Sequence, residues 1–184
     1  FQAMGGDSAF AMFDTMGQDA VALEGDQLAG LFGAMEGDQM HAIGGDQLFE
    51  SAENMTADNF MAMDADSAFG MFDAMGSETA MGMAGDQLAG MISAMGAEHM
   101  SSMGMDTMVM AAEKMEFQDF QMMGSDSAFG MMETMGMEHV MTMGGDQMAG
   151  MFSAMESHHI HDRGAERSFE AFQSMGTENA MAMG

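Results

Sequence analysis

A twenty-residue period runs through this chain, and no other feature restricts its possible folds so severely. Acidic residues open successive repeats at Asp7, Asp26, Asp46, Asp66, Asp86, Asp106, Asp126, Asp146 and Glu166, and only the first interval departs from twenty. The tenth residue of each repeat is methionine: Met16, Met35, Met55, Met75, Met95, Met115, Met135, Met155 and Met175. A fixed period of this length predicts stacked units, none of which can bury its apolar face without neighbours.

Within a repeat the apolar residues stand at the third, sixth, seventh and tenth places, as in Leu88, Met91, Ile92 and Met95. At a helical advance of about 100° per residue these places share one face, so each repeat is predicted to open with an amphipathic helix of about ten residues. The acidic start is expected to serve as N-cap, where a carboxylate accepts from the first free amides and meets the positive end of the helix dipole. The glycine after the tenth place (Gly17, Gly76, Gly96, Gly136, Gly176) is expected to stop the helix.

The second half of a repeat begins with another acid, such as Asp38, Asp58 or Glu98, followed two residues later by an apolar residue such as Met100. That spacing predicts a second, shorter helix. The alternating tails Met81-Gly82-Met83, Met141-Thr142-Met143 and Met181-Ala182-Met183 keep open an alternative, a short strand in each repeat and an α/β horseshoe. The favoured fold is all-α, an α-solenoid of nine helical-pair repeats in one array over residues 1–184. The apolar place two after the acid decides it, since strict alternation would make that place polar.

A longer period lies over the first. Asp7-Ser8-Ala9-Phe10, Asp66-Ser67-Ala68-Phe69 and Asp126-Ser127-Ala128-Phe129 open the first, fourth and seventh repeats; Asp26-Gln27-Leu28-Ala29, Asp86-Gln87-Leu88-Ala89 and Asp146-Gln147-Met148-Ala149 open the second, fifth and eighth. The full period is therefore about sixty residues, and one turn of a superhelix or one subunit contact is expected to match it. Phe1-Gln2-Ala3-Met4 matches the tail of a repeat, and Gly184 stops one residue short of the next acidic start. The expectation is a window of a longer repetitive chain.

Starts such as Ala97-Glu98-His99-Met100, Met137-Glu138-His139-Val140 and Gly145-Asp146-Gln147-Met148 resemble bacterial arrays of short Pro-Glu-Gln helices. The N-terminal superhelical domain of the MgtE-type magnesium transporters is one such family. The resemblance implies a right-handed solenoid of short helices, and it implies no active site.

Charge narrows the partners. Thirty acidic residues stand against three basic ones, a net charge of −27. Nucleic acid and anionic membranes both require clustered Lys and Arg, so neither is expected as a partner. Self-repulsion on this scale favours solubility and opposes compaction, and salt or divalent cations relieve it. There is no cysteine, and no apolar run approaches the roughly 20 residues of a membrane span. Membrane insertion is not expected.

Three sets of residues could bind metal. His158, His159, His161 and Asp162 interrupt the regular array and offer ligands for zinc or copper, beside a solvated loop or a chain–chain contact as the plainer reading. An acidic neighbour would tie this cluster to histidine's titration range. The thirty-four methionines could hold Cu(I) or Ag(I), with His99, Met100, Met103 and Met105 as one local set, but methionine also fills cores as a flexible apolar residue. Gly-Gly-Asp at Gly5-Gly6-Asp7, Gly44-Gly45-Asp46 and Gly144-Gly145-Asp146 could bind calcium, although one acid per turn is too few for a dedicated site. Loosely held divalent cations such as calcium are expected from the charge alone, and otherwise no cofactor.

No nucleophile–base arrangement can be argued, Lys114 is the only lysine and no glycine loop leads into a lysine, so an enzyme is not expected. The reading is a structural or adhesive repeat segment, part of a fibre, surface layer or spacer. It would be extracellular or on the cell surface, and would associate with itself or with more of the same chain. The alternatives are a methionine-rich Cu(I)/Ag(I) store and a scaffold with an apolar partner groove.

Overall fold

A computed structural model describes residues 4–162, 170, 171, 173–176 and 179, the side chains of His161 and Asp162 excepted. Every described repeat from the first to the eighth opens with a helix and follows it with a shorter one. The chain forms two compact halves, Phe1–Met95 and Gly96–Gly184. The first half contains α1 (Gly6–Met16), a 3-10 helix (Gly17–Ala22), α2 (Gly25–Phe32), α3 (Gly37–Ile43), α4 (Gly45–Ala52), α5 (Ala57–Met61), α6 (Ala65–Met75) and α7 (Ser77–Ala80). A helical run, α8 (Gly85–Met103), is broken at Gly96, where φ 73 and ψ 169 are not helical. The second half continues with α9 (Met105–Lys114), α10 (Phe117–Met122), α11 (Ser125–Met135), α12 (Met137–Val140), α13 (Gly145–Ala154) and α14 (Ser157–Asp162).

No strand forms among the described residues. The horseshoe alternative is thereby corrected at two of its three tails. Met81-Gly82-Met83 is a turn in which the Gly82 and Met83 amides donate to Thr79 and Ala80 carbonyls, and Thr142 and Met143 do the same to His139 and Val140. These bonds tighten the end of a four-residue helix, so the alternating methionines leave the backbone no free ladder to offer a neighbour. Met181-Ala182-Met183 lies outside the described residues.

The apolar face sits where the period places it. Leu88, Met91, Ile92 and Met95 are buried, as are Ala68, Met71, Phe72 and Met75. Eight of the nine tenth-place methionines are between 1% and 7% exposed, and Met16 is half-buried. The apolar place of the second helix is also core: Met40, Phe60, Ala80, Met100, Phe120 and Val140 are each fully buried.

Among the described residues, which exclude Glu166, the acidic starts are not N-caps. They lie one residue inside the helix, in its first turn, and Gly5, Glu24, Gly44, Gly104, Gly124 and Gly144 take the cap position. At three of the starts the reason is visible three residues beyond the cap. A glutamine at the third helical place turns back, and its Oε1 accepts from the cap amide: Gln27 from Glu24, Gln87 from Ala84 and Gln147 from Gly144, at 3.1–3.2 Å. With the cap amide satisfied, the acid remains in the first turn, where it still meets the positive end of the dipole. Asp64 departs from this pattern; it caps α6 directly and accepts from the Ser67 amide at 2.9 Å.

The glycine stops hold. Gly17, Gly76, Gly96, Gly136 and Gly176 all have positive φ, between 55 and 86. At Gly76, φ 77 with ψ 148 ends α6 and at once caps α7. That region of backbone space is accessible essentially to glycine alone, so this residue sets the angle between the two helices of its repeat.

Neighbours in space are separated by about one and two-thirds repeats. In the first half α3 packs on α6, and in the second α10 packs on α13. Asn59 Nδ2 donates to Asp26 Oδ1 at 2.5 Å, and Gln39 Nε2 to Asp7 Oδ1 at 3.0 Å, across 33 and 32 residues. Gln87 Nε2 donates to the carbonyls of Ala52 (3.0 Å) and Met55 (2.7 Å), at the C-terminal end of α4. Gln147 Nε2 makes the same pair of bonds to Ala112 and Met115, both at 2.9 Å, at the end of α9. One glutamine thus satisfies the start of its own helix and the end of another. The spacing between contacting residues is 32–35, not sixty. The sixty-residue period governs instead which side chain stands at each place, since Gln87 and Gln147 lie sixty apart.

Candidate metal centre

The eighth repeat departs from the array in sequence after α13, at His158 and His159. Met155 adopts an extended conformation (φ −79, ψ 148) that ends the helix, and α14 begins two residues later with Ser157-His158-His159. The His159 amide closes the first turn on the Glu156 carbonyl at 3.1 Å. This turn brings two imidazoles toward the start of α11, 33 residues earlier, where Asp126 occupies the first turn.

His159 is the anchor. Its side chain is 8% exposed, and its ring stacks on Phe129, one turn along α11 from Asp126, with centroids 4.6 Å apart and planes within 14°. Its Nε2 lies 3.2 Å from Asp126 Oδ1, while its Nδ1 is buried with no hydrogen-bond partner among the described residues. The His158 ring lies against it at 3.9 Å between centroids, tilted by 44°. His158 is largely exposed and its Nδ1 lies 3.4 Å from Glu156 Oε2. Asp126, 92% exposed at its side chain, reaches the pair from solvent.

Among the described residues, Asp126, His158 and His159 form a group of three whose ligand atoms all lie within 4.8 Å of one another. Two members, His158 and His159, are those the sequence singles out. The third, Asp126, is not. The side chains of His161 and Asp162 lie outside the described residues, as do Arg163 and Arg167. Asp26 and Asn59 make the same link across the same 33 residues.

The methionine set is divided between core and surface. Met100 is fully buried, His99 and Met103 are half-buried, and Met105 is 43% exposed. The glycine-acid starts Gly44-Gly45-Asp46 and Gly144-Gly145-Asp146 are helix caps with one acid in the following turn.

No helix among the described residues is long and apolar enough to cross a membrane. No protein-family profile matches the chain, and neither a curated protein nor a solved structure matches it.

Proposed function

We propose that this chain is a structural repeat segment, an α-solenoid whose successive layers lie 32–35 residues apart, serving in a fibre, surface layer or spacer. The double link made by Gln87 and repeated by Gln147 carries this reading, because each joins the start of one helix to the end of another through backbone carbonyls. Bonds to backbone do not depend on the partner's side chain, so such a link can recur along an array of any length. The resemblance to short Pro-Glu-Gln helical arrays supports the same architecture. The net charge of −27 supports a soluble, salt-requiring segment, and we assign it to the extracellular space or cell surface.

Burial of the tenth-place methionines supports a packing role for them over soft-metal storage. The test is sedimentation and small-angle scattering of the purified chain over a concentration series, at low salt and in high salt. An elongated particle that self-associates as salt rises is expected. A compact, strictly monomeric particle at high concentration and high salt overturns the structural reading. Several copper ions per chain retained under reducing conditions would make the methionines the function instead.

A further inference from the structure

We propose that Asp126, His158 and His159 form a binding site for a single zinc ion, bridging the first turn of α11 and the first turn of α14. The site is independent of the structural role above. In the first half of the chain the corresponding link is Asn59 to Asp26, a hydrogen bond between an amide and a carboxylate. Asparagine is a poor zinc ligand; histidine is a good one. In the second half the amide is replaced by an imidazole, and a second imidazole stands beside it. The hydrogen bond alone does not call for either change.

The hydrogen bonding of His159 is also incomplete. Its ring is more than nine-tenths buried, yet among the described residues only Nε2 has a polar partner, and that partner is an exposed carboxylate. Stacking on Phe129 accounts for the ring face but would be served as well by an apolar side chain. Two imidazoles and a carboxylate form a donor set that suits zinc and leaves a fourth position for water.

The geometry needs modest adjustment. Ligand atoms now within 4.8 Å must close to roughly 3.4 Å around a tetrahedral ion with bonds of about 2.1 Å. The two ligands that must move, Asp126 and His158, are the exposed ones. The ligand that stays is fixed by its packing. His158 would exchange its contact with Glu156 for the ion.

The test is titration of the full chain with zinc chloride in millimolar magnesium, which occupies the diffuse acidic charge without competing for imidazole. Stoichiometry is read by calorimetry and the ligands by the histidine ring signals in NMR spectra. The expected result is one zinc ion per chain, with shifts in the His158 and His159 rings. Asp126→Asn and His158→Gln alter exposed side chains and are expected to keep the fold, checked by circular dichroism. Each is expected to weaken binding by at least about tenfold, since even loss of an outer-shell partner costs that much. The proposal is overturned if no stoichiometric zinc binds under magnesium, or if either variant retains the affinity of the original chain.

Discussion

Gly90 passes so close to Ala57 that a Cβ on the glycine would stand 2.6 Å from both the Ala57 Cα and its carbonyl oxygen. Gly150 meets Phe117 in the same way, with a Cβ 2.7 Å from the Phe117 carbonyl oxygen. In each case the first residue lies in the middle of a long helix and the second opens a short helix 33 residues earlier. Backbone meets backbone at these points, which is why a residue with poor helix propensity stands there.

Gly90→Ala tests that contact. Alanine gains up to about 1 kcal/mol of helix propensity over glycine. The methyl group would strike main-chain atoms, which cannot step aside as a side chain can, and overpacking costs roughly 1–3 kcal/mol. A net loss of stability is expected in urea denaturation. Ala57→Gly should not restore it, because the obstructing atoms are backbone. An unchanged or raised midpoint for Gly90→Ala would show that the helices separate freely here.

The glutamine link has its own test at Gln147. Gln147→Glu keeps an oxygen to accept from the Gly144 amide but turns a carboxylate toward the Ala112 and Met115 carbonyls. A part-buried group left facing acceptors costs about 1–3 kcal/mol. Gln18→Glu, at an exposed position, adds the same charge and serves as the reference. The Gln147 variant is expected to melt well below the Gln18 variant; equal melting temperatures would remove the link from any account of stability.

Methionine oxidation separates core from surface. Met61, Met105, Met110, Met122 and Met141 are 36–43% exposed, whereas Met95 and Met135 are 1% exposed. Under dilute peroxide the exposed group should form sulfoxide first, and the buried pair only as the fold opens. Peptide mapping by mass spectrometry reads both rates. Equal rates at Met95 and Met105 would contradict a packed methionine core.

Salt should stabilise this protein. Acids in the first helical turns lose part of their interaction with the helix dipole as ionic strength rises, which opposes the trend. Repulsion among thirty acids with three basic partners is the larger effect, and its range falls from about 30 Å at 0.01 M salt to about 3 Å at 1 M. The urea midpoint is expected to rise across that interval at constant slope. A falling midpoint would mean that the caps outweigh the net charge.

The helices, their buried faces and the glycine stops are legible in the sequence because each depends on residues a few places apart. Met95 is buried by the same 3.6-residue geometry that aligns it with Leu88. Two features are not legible. Asp86 lies inside its helix and not at the cap because Gln87 reaches back to the Ala84 amide, a bond that spacing alone does not distinguish from capping by the acid. Asp126 joins His158 and His159 because helix length and turn geometry together fix which parts of the chain meet, and neither the twenty- nor the sixty-residue period contains that number. Nearness in the chain points to His161 and Asp162, whose side chains lie outside the described residues.

The mismatch between a contact spacing of 32–35 residues and an identity period of sixty also limits how such a gene can change length. Excising residues 66–125 would place Gln147 against the carbonyls of Ala52 and Met55, the ones Gln87 holds in the intact chain. Gly150 would likewise stand against Ala57, the residue that Gly90 meets in the intact chain. Removing a single twenty-residue repeat keeps the backbone spacing but sets Ala-Phe starts where Leu-Ala starts belong. Recombination between repeats should therefore be tolerated in steps of three. Circular dichroism and urea melts of the sixty-residue and twenty-residue deletions are expected to show native helicity per residue only in the former.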